Sequence, residues 1–114
     1  MQIASCVRWT GREDVKMKAM ISQPMRGLGE TIIKKERDRL TEWLKSSGYD
    51  VVNTLFDFES NNPLHYLAKS IEAMSEVDVV VFAPNWENAR GCKIEYEIAK
   101  NYGKSIFIIG ENNV

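Results

Sequence analysis

The chain has 114 residues, enough for one hydrophobic core without metal or disulfide staples, and 44% of them are hydrophobic. Its 15 Lys and Arg against 16 Asp and Glu leave a formal net charge of -1, which gives no electrostatic case for nucleic acid or for an anionic membrane surface. Cys6 and Cys92 lie far apart and match neither a metal-site spacing nor a redox pair, and no apolar run approaches the ~20 residues of a membrane span.

These bounds lead us to expect a soluble cytoplasmic protein with reduced thiols and neither metal nor cofactor. Residues 1–14 break the patterning of the rest. They contain Trp9, end in the polar run GRED, and read as an N-terminal arm or leader, with a short strand candidate at QIASCVRW. Residues 15–114 read as a single domain.

In chain order, VKMKAMIS is a short strand candidate that stops at Gln23-Pro24. A loop with Gly27 and Gly29 leads into ETIIKKERDRLTEWLKSSG, where Ile32, Ile33, Leu40, Trp43 and Leu44 recur at helical spacing and Gly48 supplies the stop. YDVVNTLF follows as a strand. Asn62-Pro63 forms an N-cap and first-turn pair opening PLHYLAKSIEAMSEV, with Leu64, Leu67, Ile71 and Met74 on one face. DVVVFAP is a continuous apolar run of the kind buried on both faces of a sheet. A third helix ends at Gly103, and KSIFIIG closes the pattern as another apolar strand.

This β-α-β-α-β-α-β alternation predicts an α/β fold: a small flavodoxin- or Rossmann-like three-layer sandwich around a four-stranded parallel sheet. Right-handed crossovers favour strand order 2-1-3-4. Ligands in such sheets bind beyond the carboxyl ends of the strands, where the order reverses, between the first and third strands. SQPMRGLG and APNWENARG must therefore meet there, and they are the two loops richest in chemically useful residues.

The third helix carries an acid where a core residue is expected. At roughly 100° per residue, Ile94, Ile98, Tyr102 and Ala99 make an inner stripe spanning about 140°, and Glu95 falls within it at about 100°. Lys93, Glu97 and Lys100 take the opposite arc, so Glu97 is an ordinary exposed acid. A carboxylate is seldom buried unless it is paired, hydrogen-bonded or serving a cleft. Glu95 is either a core-edge acid snorkelling to water or paired with Arg90 or Arg26, or a functional group looking into the switch-point crevice, with the helix N-terminus helping to keep it anionic.

The order ISQPMRG, then GYDVVN, then DVVVFAPNWENARGCKIEYEIAKNYGKSIFII resembles the nucleoside 2-deoxyribosyltransferase superfamily over about residues 17–109. More closely, it resembles the small DUF4406-like branch common in bacteriophages and prophages. In the transferases the nucleophilic glutamate lies four residues after a glycine and four before an alanine. Gly91, Glu95 and Ala99 reproduce that spacing, and Asp78 matches an aspartate that opens the third strand. The resemblance places Ser22, Gln23, Pro24, Met25, Arg26 and Gly27 in a loop that closes over the sugar or its 5′-phosphate. One departure is Ala89, where many transferases carry a second acid that handles the departing base. Phage-type relatives share the Trp-x-x-x-Arg-Gly version present at Trp86, Arg90 and Gly91.

The chemistry implied is that of a retaining glycosidase with a nucleobase as leaving group, Glu95 attacking C1′ and Asp78 offered as the acid. Asp78 opens a strand at the edge opposite the crevice, so its support comes from the resemblance. Arg26 and the Gly27/Gly29 backbone suit a phosphate, though the motif is equally a Pro/Gly turn starting a helix. Trp86 can stack on a base or cover the end of the core, and stacking is favoured because Asn85 and Asn88 beside it carry base-reading amides. Arg90 can bind phosphate, pair with Glu95 or pair across a subunit interface. His65 and Cys92 are taken as structural.

Two readings result: an N-glycosidase or deoxyribosyltransferase acting on a nucleoside or nucleotide, and a non-catalytic protein that sequesters a nucleotide or nucleotide-derived signal. A phage origin would put either in the host cytoplasm. The apolar last strand leaves an exposed edge that suggests a homodimer or larger homo-oligomer, with the 1–14 arm packing across it.

Overall fold

A computed structural model describes residues 16–25, 29–52, 54 and 62–110. Strand β1 spans Lys18–Ser22, helix α1 Glu30–Ser46, β2 Asp50–Val51, α2 Pro63–Met74, β3 Val79–Phe82, α3 Arg90–Asn101 and β4 Ser105–Ile108. All pairings are parallel and the order is β2-β1-β3-β4, as the alternation of elements predicts. The arm at 1–14, and the strand candidate within it, lie outside the described residues.

Side-chain alternation along the two central strands builds a core on each face of the sheet. Ala19 and Ile21 of β1 and Val79, Val81 and Ala83 along β3 pack on Leu40 and Leu44 of α1. Met20, Val80 and Phe82 point the other way, onto Met74 and Ala99 of α2 and α3. Thus, among the described residues, α1 covers one face, and α2 and α3 share the other. Phe82, Met20, Val80 and Val81 are fully buried, each stabilising the fold by about 1.5–3 kcal/mol relative to exposure.

Two helices end in the same way. Gly48 (φ 99°) lets Tyr49 N–H reach the Leu44 carbonyl at 3.1 Å, and Gly103 (φ 74°) lets Lys104 N–H reach the Ala99 carbonyl at 2.9 Å. These are Schellman turns, which need a left-handed residue and so favour glycine. Each turns the chain straight into the next strand. The predicted cap of α2 is also present: the Asn62 side chain accepts from Leu64 N–H at 3.0 Å, with Pro63 in the first turn.

Three expectations need correction. The inner face of α1 is Ile33, Arg37, Leu40 and Leu44, while Ile32 is 59% exposed. Leu64 of α2 is 66% exposed, so the inner face of that helix narrows to its C-terminal end. On α3 the buried residues are Cys92, Glu95 and Ala99, whereas Ile94 and Tyr102 are exposed. Two helices sharing one face of a four-stranded sheet each contact it along a narrower stripe than the apolar letters alone define. Among the described residues of YDVVNTLF, the strand is confined to Asp50–Val51. Beyond Val52, whose N–H donates to the Ala19 carbonyl, the Thr54 hydroxyl takes over and donates to the Ile21 carbonyl at 3.1 Å.

Candidate functional site

Strand β1 ends at Ser22 and is followed directly by Gln23, and both polar residues are buried. Alternation continues through them. Ser22 faces the side of α2 and α3, and Gln23 faces the side of α1. Ser22 is level with Phe82 of β3, at the carboxyl edge of the sheet and at the point where the strand order reverses.

On the α3 side, the Ser22 hydroxyl donates to Glu95 Oε1 at 2.5 Å. Glu95 lies at the centre of the inner face of α3, with Cys92 one turn before it and Ala99 one turn after it. Burial pushes its carboxyl above the ordinary range, and the Ser22 and Ser70 hydroxyls and the charge of Arg37 oppose that shift. Burial likewise pushes the neighbouring Cys92 thiol up to about 11, against the Ser22 hydroxyl, so Cys92 stays a neutral thiol.

On the α1 side, Gln23 sits in a buried network. Its amide nitrogen donates to the Ile33 carbonyl at 2.9 Å and to Glu36 at 3.0 Å. Its oxygen accepts from Arg37 Nε at 2.9 Å, and Arg37 Nη1 donates to the Thr54 hydroxyl at 2.7 Å. Burial lowers the Arg37 pKa, while Glu95, Cys92 and Glu36 counter that shift. The guanidinium stays charged at neutral pH.

Of the predicted site residues, Ser22 and Glu95 are brought into contact. Gln23 follows directly, Pro24 is half-buried and Met25 is exposed. Arg26 and Gly27 lie outside the described residues. Asn85, Asn88, Arg90 and Gly91 are exposed on the loop and first turn leading to Glu95. Asn85 is left-handed (φ 69°), a conformation asparagine tolerates better than most residues.

Asp78 is not brought to the site. It lies just before β3, where its carboxylate accepts from Lys18 N–H at 2.9 Å, and four residues of strand, roughly 13 Å, separate it from the level of Ser22. It ties β1 to β3 at the amino edge. Trp86 has one ring face occupied already, stacked on Tyr96 at 4.7 Å and packed on Phe82 at 5.3 Å. Its indole nitrogen is buried without a hydrogen-bond partner. Covering the core is the alternative this packing fits.

Two groups acting on Glu95 were not anticipated, Arg37 and Ser70, nor was Thr54, which holds the Arg37 guanidinium. Arg37 did leave a signal, since it stands four residues after Ile33 and three before Leu40, inside the apolar stripe of α1. Thr54 and Ser70 leave none.

Fold and site together define a small α/β domain whose switch point carries a buried carboxylate opposite a buried guanidinium. Residues 17–108 match the model of the family described as Domain of unknown function (DUF4406), and the chain belongs to that family. It matches no curated protein and no solved structure. Among the described residues, no helix is long and apolar enough to cross a membrane, and no group of three or more His, Cys, Asp or Glu is placed to hold a metal ion.

Proposed function

We propose that the switch-point crevice binds a nucleoside or nucleotide and that Glu95 acts on its N-glycosidic bond as a nucleophile. The observation that carries this reading is the Ser22–Glu95 contact: a carboxylate buried at the carboxyl edge of the sheet and fixed by a hydroxyl from the end of β1. The Gly91–Glu95–Ala99 spacing, shared with deoxyribosyltransferases, gives the attack its chemistry. A carboxylate oxygen bonds to C1′ as the C1′–N bond breaks, its electron pair going to the base nitrogen, which takes a proton from water. A second water then attacks C1′ and releases the sugar with the carboxylate restored. Another base in place of that water gives transfer instead of hydrolysis. In this reading Asn85, Asn88 and Arg90 are the contacts for base and phosphate.

Binding without turnover is the second reading. It is favoured by the position of Asp78 at the far edge of the sheet and by Ala89 in place of an acid, since both leave the departing base without a carboxyl donor. Incubation with a panel of nucleosides, 5′-monophosphates and cyclic nucleotides separates the two. Free base released by the wild type and not by Glu95→Gln supports catalysis. Ligand bound tightly and recovered intact supports sequestration, and failure to bind any of them overturns both. We further propose self-association through the β4 edge, where Ile106, Phe107, Ile108 and Ile109 are only half-buried.

A further inference from the structure

Glu95 and Arg37 come from helices on opposite faces of the sheet, and both are more than nine-tenths buried, at 7% and 6% exposure. Buried charges of opposite sign usually meet in a direct ion pair. These two do not. Among the described residues the ion pairs are Lys34–Asp38 and Lys69–Glu72, both on exposed helix surfaces. Each buried charge is instead bound by its own residue at the end of β1, Glu95 by Ser22, the last of the strand, and Arg37 by Gln23, which follows it. Consecutive strand residues point to opposite faces, so the backbone of this dipeptide stands between the two charges as a spacer.

We propose that Arg37 is the counter-charge of Glu95, held off by the Ser22-Gln23 spacer so that the carboxylate is balanced electrostatically yet left free of a salt bridge. The proposal rests on reading Glu95 as the reacting carboxylate, because a carboxylate clamped by a bidentate guanidinium would have its oxygens and its charge already committed. Arg37 is therefore a positioning residue, acting through Glu95. The rest of its network serves to fix it. Thr54 anchors one guanidinium nitrogen and is itself tied to the Ile21 carbonyl, while Glu36 and the Ile33 carbonyl hold the Gln23 amide. The groups facing Glu95 are Ser22 from β1, Arg37 from α1, Ser70 from α2 and Cys92 from α3. Arg37 is the one cation among them.

The test is the titration of the Glu95 carboxyl, followed by carbon-13 NMR on the ligand-free protein and assigned with Glu95→Gln. Arg37→Met is expected to raise the midpoint, and Arg37→Lys to keep it closer to wild type. A folded Arg37→Met with an unshifted midpoint overturns the proposal. If Arg37→Met does not fold, coupling predicts that Arg37→Met/Glu95→Gln regains a cooperative unfolding transition, because the uncompensated buried carboxylate is gone. A double variant as unfolded as the single one overturns it as well. The titration needs no substrate, so its outcome is separate from that of the base-release experiment. A shifted midpoint in a protein that releases no base would leave this inference standing and remove the catalytic reading, and the reverse pair of results would do the opposite.

Discussion

Ser22 and Glu95 form the smallest unit that explains the site, a hydroxyl donating to a buried carboxylate. Ser22→Ala removes a hydrogen bond to a charged group, and chemical denaturation should show a loss of about 1.5–3 kcal/mol. The folded-state pKa of Glu95 lies above its unfolded value, so the contribution of this group to stability is complete below the ordinary carboxylate range and is lost as pH rises through the folded pKa. Wild-type stability should therefore fall with pH over that window, and Glu95→Gln should flatten the fall. Activity should move the opposite way, because a nucleophile must be ionised, and the rate should climb as Glu95 loses its proton. A rate that falls across the same window would count against Glu95 as nucleophile. Glu95 was legible in the sequence because its angular position conflicts with its charge. Arg37 presents the same conflict on α1, between Ile33 and Leu40, and the stripe read from apolar letters alone passed over it. Ser70 and Thr54 were not legible, since a hydroxyl fits a surface and a buried site equally well.

At the scale of elements, the helix ends make separable predictions. Asn62→Ala removes the side-chain acceptor at the start of α2 and should cost about 1 kcal/mol in denaturation. Gly103→Ala forces a Cβ into a left-handed residue and should cost about 1–2 kcal/mol. Gly91 differs from both. No atom lies within 4 Å of where its Cβ would be, so the fold should accept Gly91→Ala with a change below about half a kcal/mol. If Gly91 lies against a bound ligand, as the shared motif suggests, that same variant should weaken nucleotide binding while its unfolding curve stays near wild type. Element order and type were readable from period and turn residues, the Asn62-Pro63 start and the Gly48 and Gly103 stops included. The rotation of each helix was not. Ile32, Leu64, Ile94 and Tyr102 are apolar letters at roughly the right spacing, and which of them the sheet can cover depends on how many helices share each face.

Across the whole molecule, two cores lie back to back on one sheet, and residues from both layers converge on Ser22 and Gln23. Met20 is completely buried between β3 and the α2–α3 layer, and Met20→Ala should cost about 2–5 kcal/mol. That loss should loosen Ser22 two residues further along the strand and reduce ligand affinity with it. Strand order 2-1-3-4 was deducible because parallel pairing, right-handed crossovers and two apolar central strands leave few alternatives. The half-burial of β4 follows from its place at the edge. If that edge pairs in solution, light scattering will give a mass of two or more chains, and a charge placed at Ile108 should lower it toward one.

The most direct measurement is the mass of the protein quenched in acid during incubation with 2′-deoxynucleosides. Glycosyl transfer to a carboxylate predicts a fraction of chains heavier by one deoxyribosyl group, carried on the peptide that contains Glu95 and missing from Glu95→Gln. Base released at an undiminished rate by Glu95→Gln, or a sugar adduct on a peptide without Glu95, would contradict the assignment of that residue.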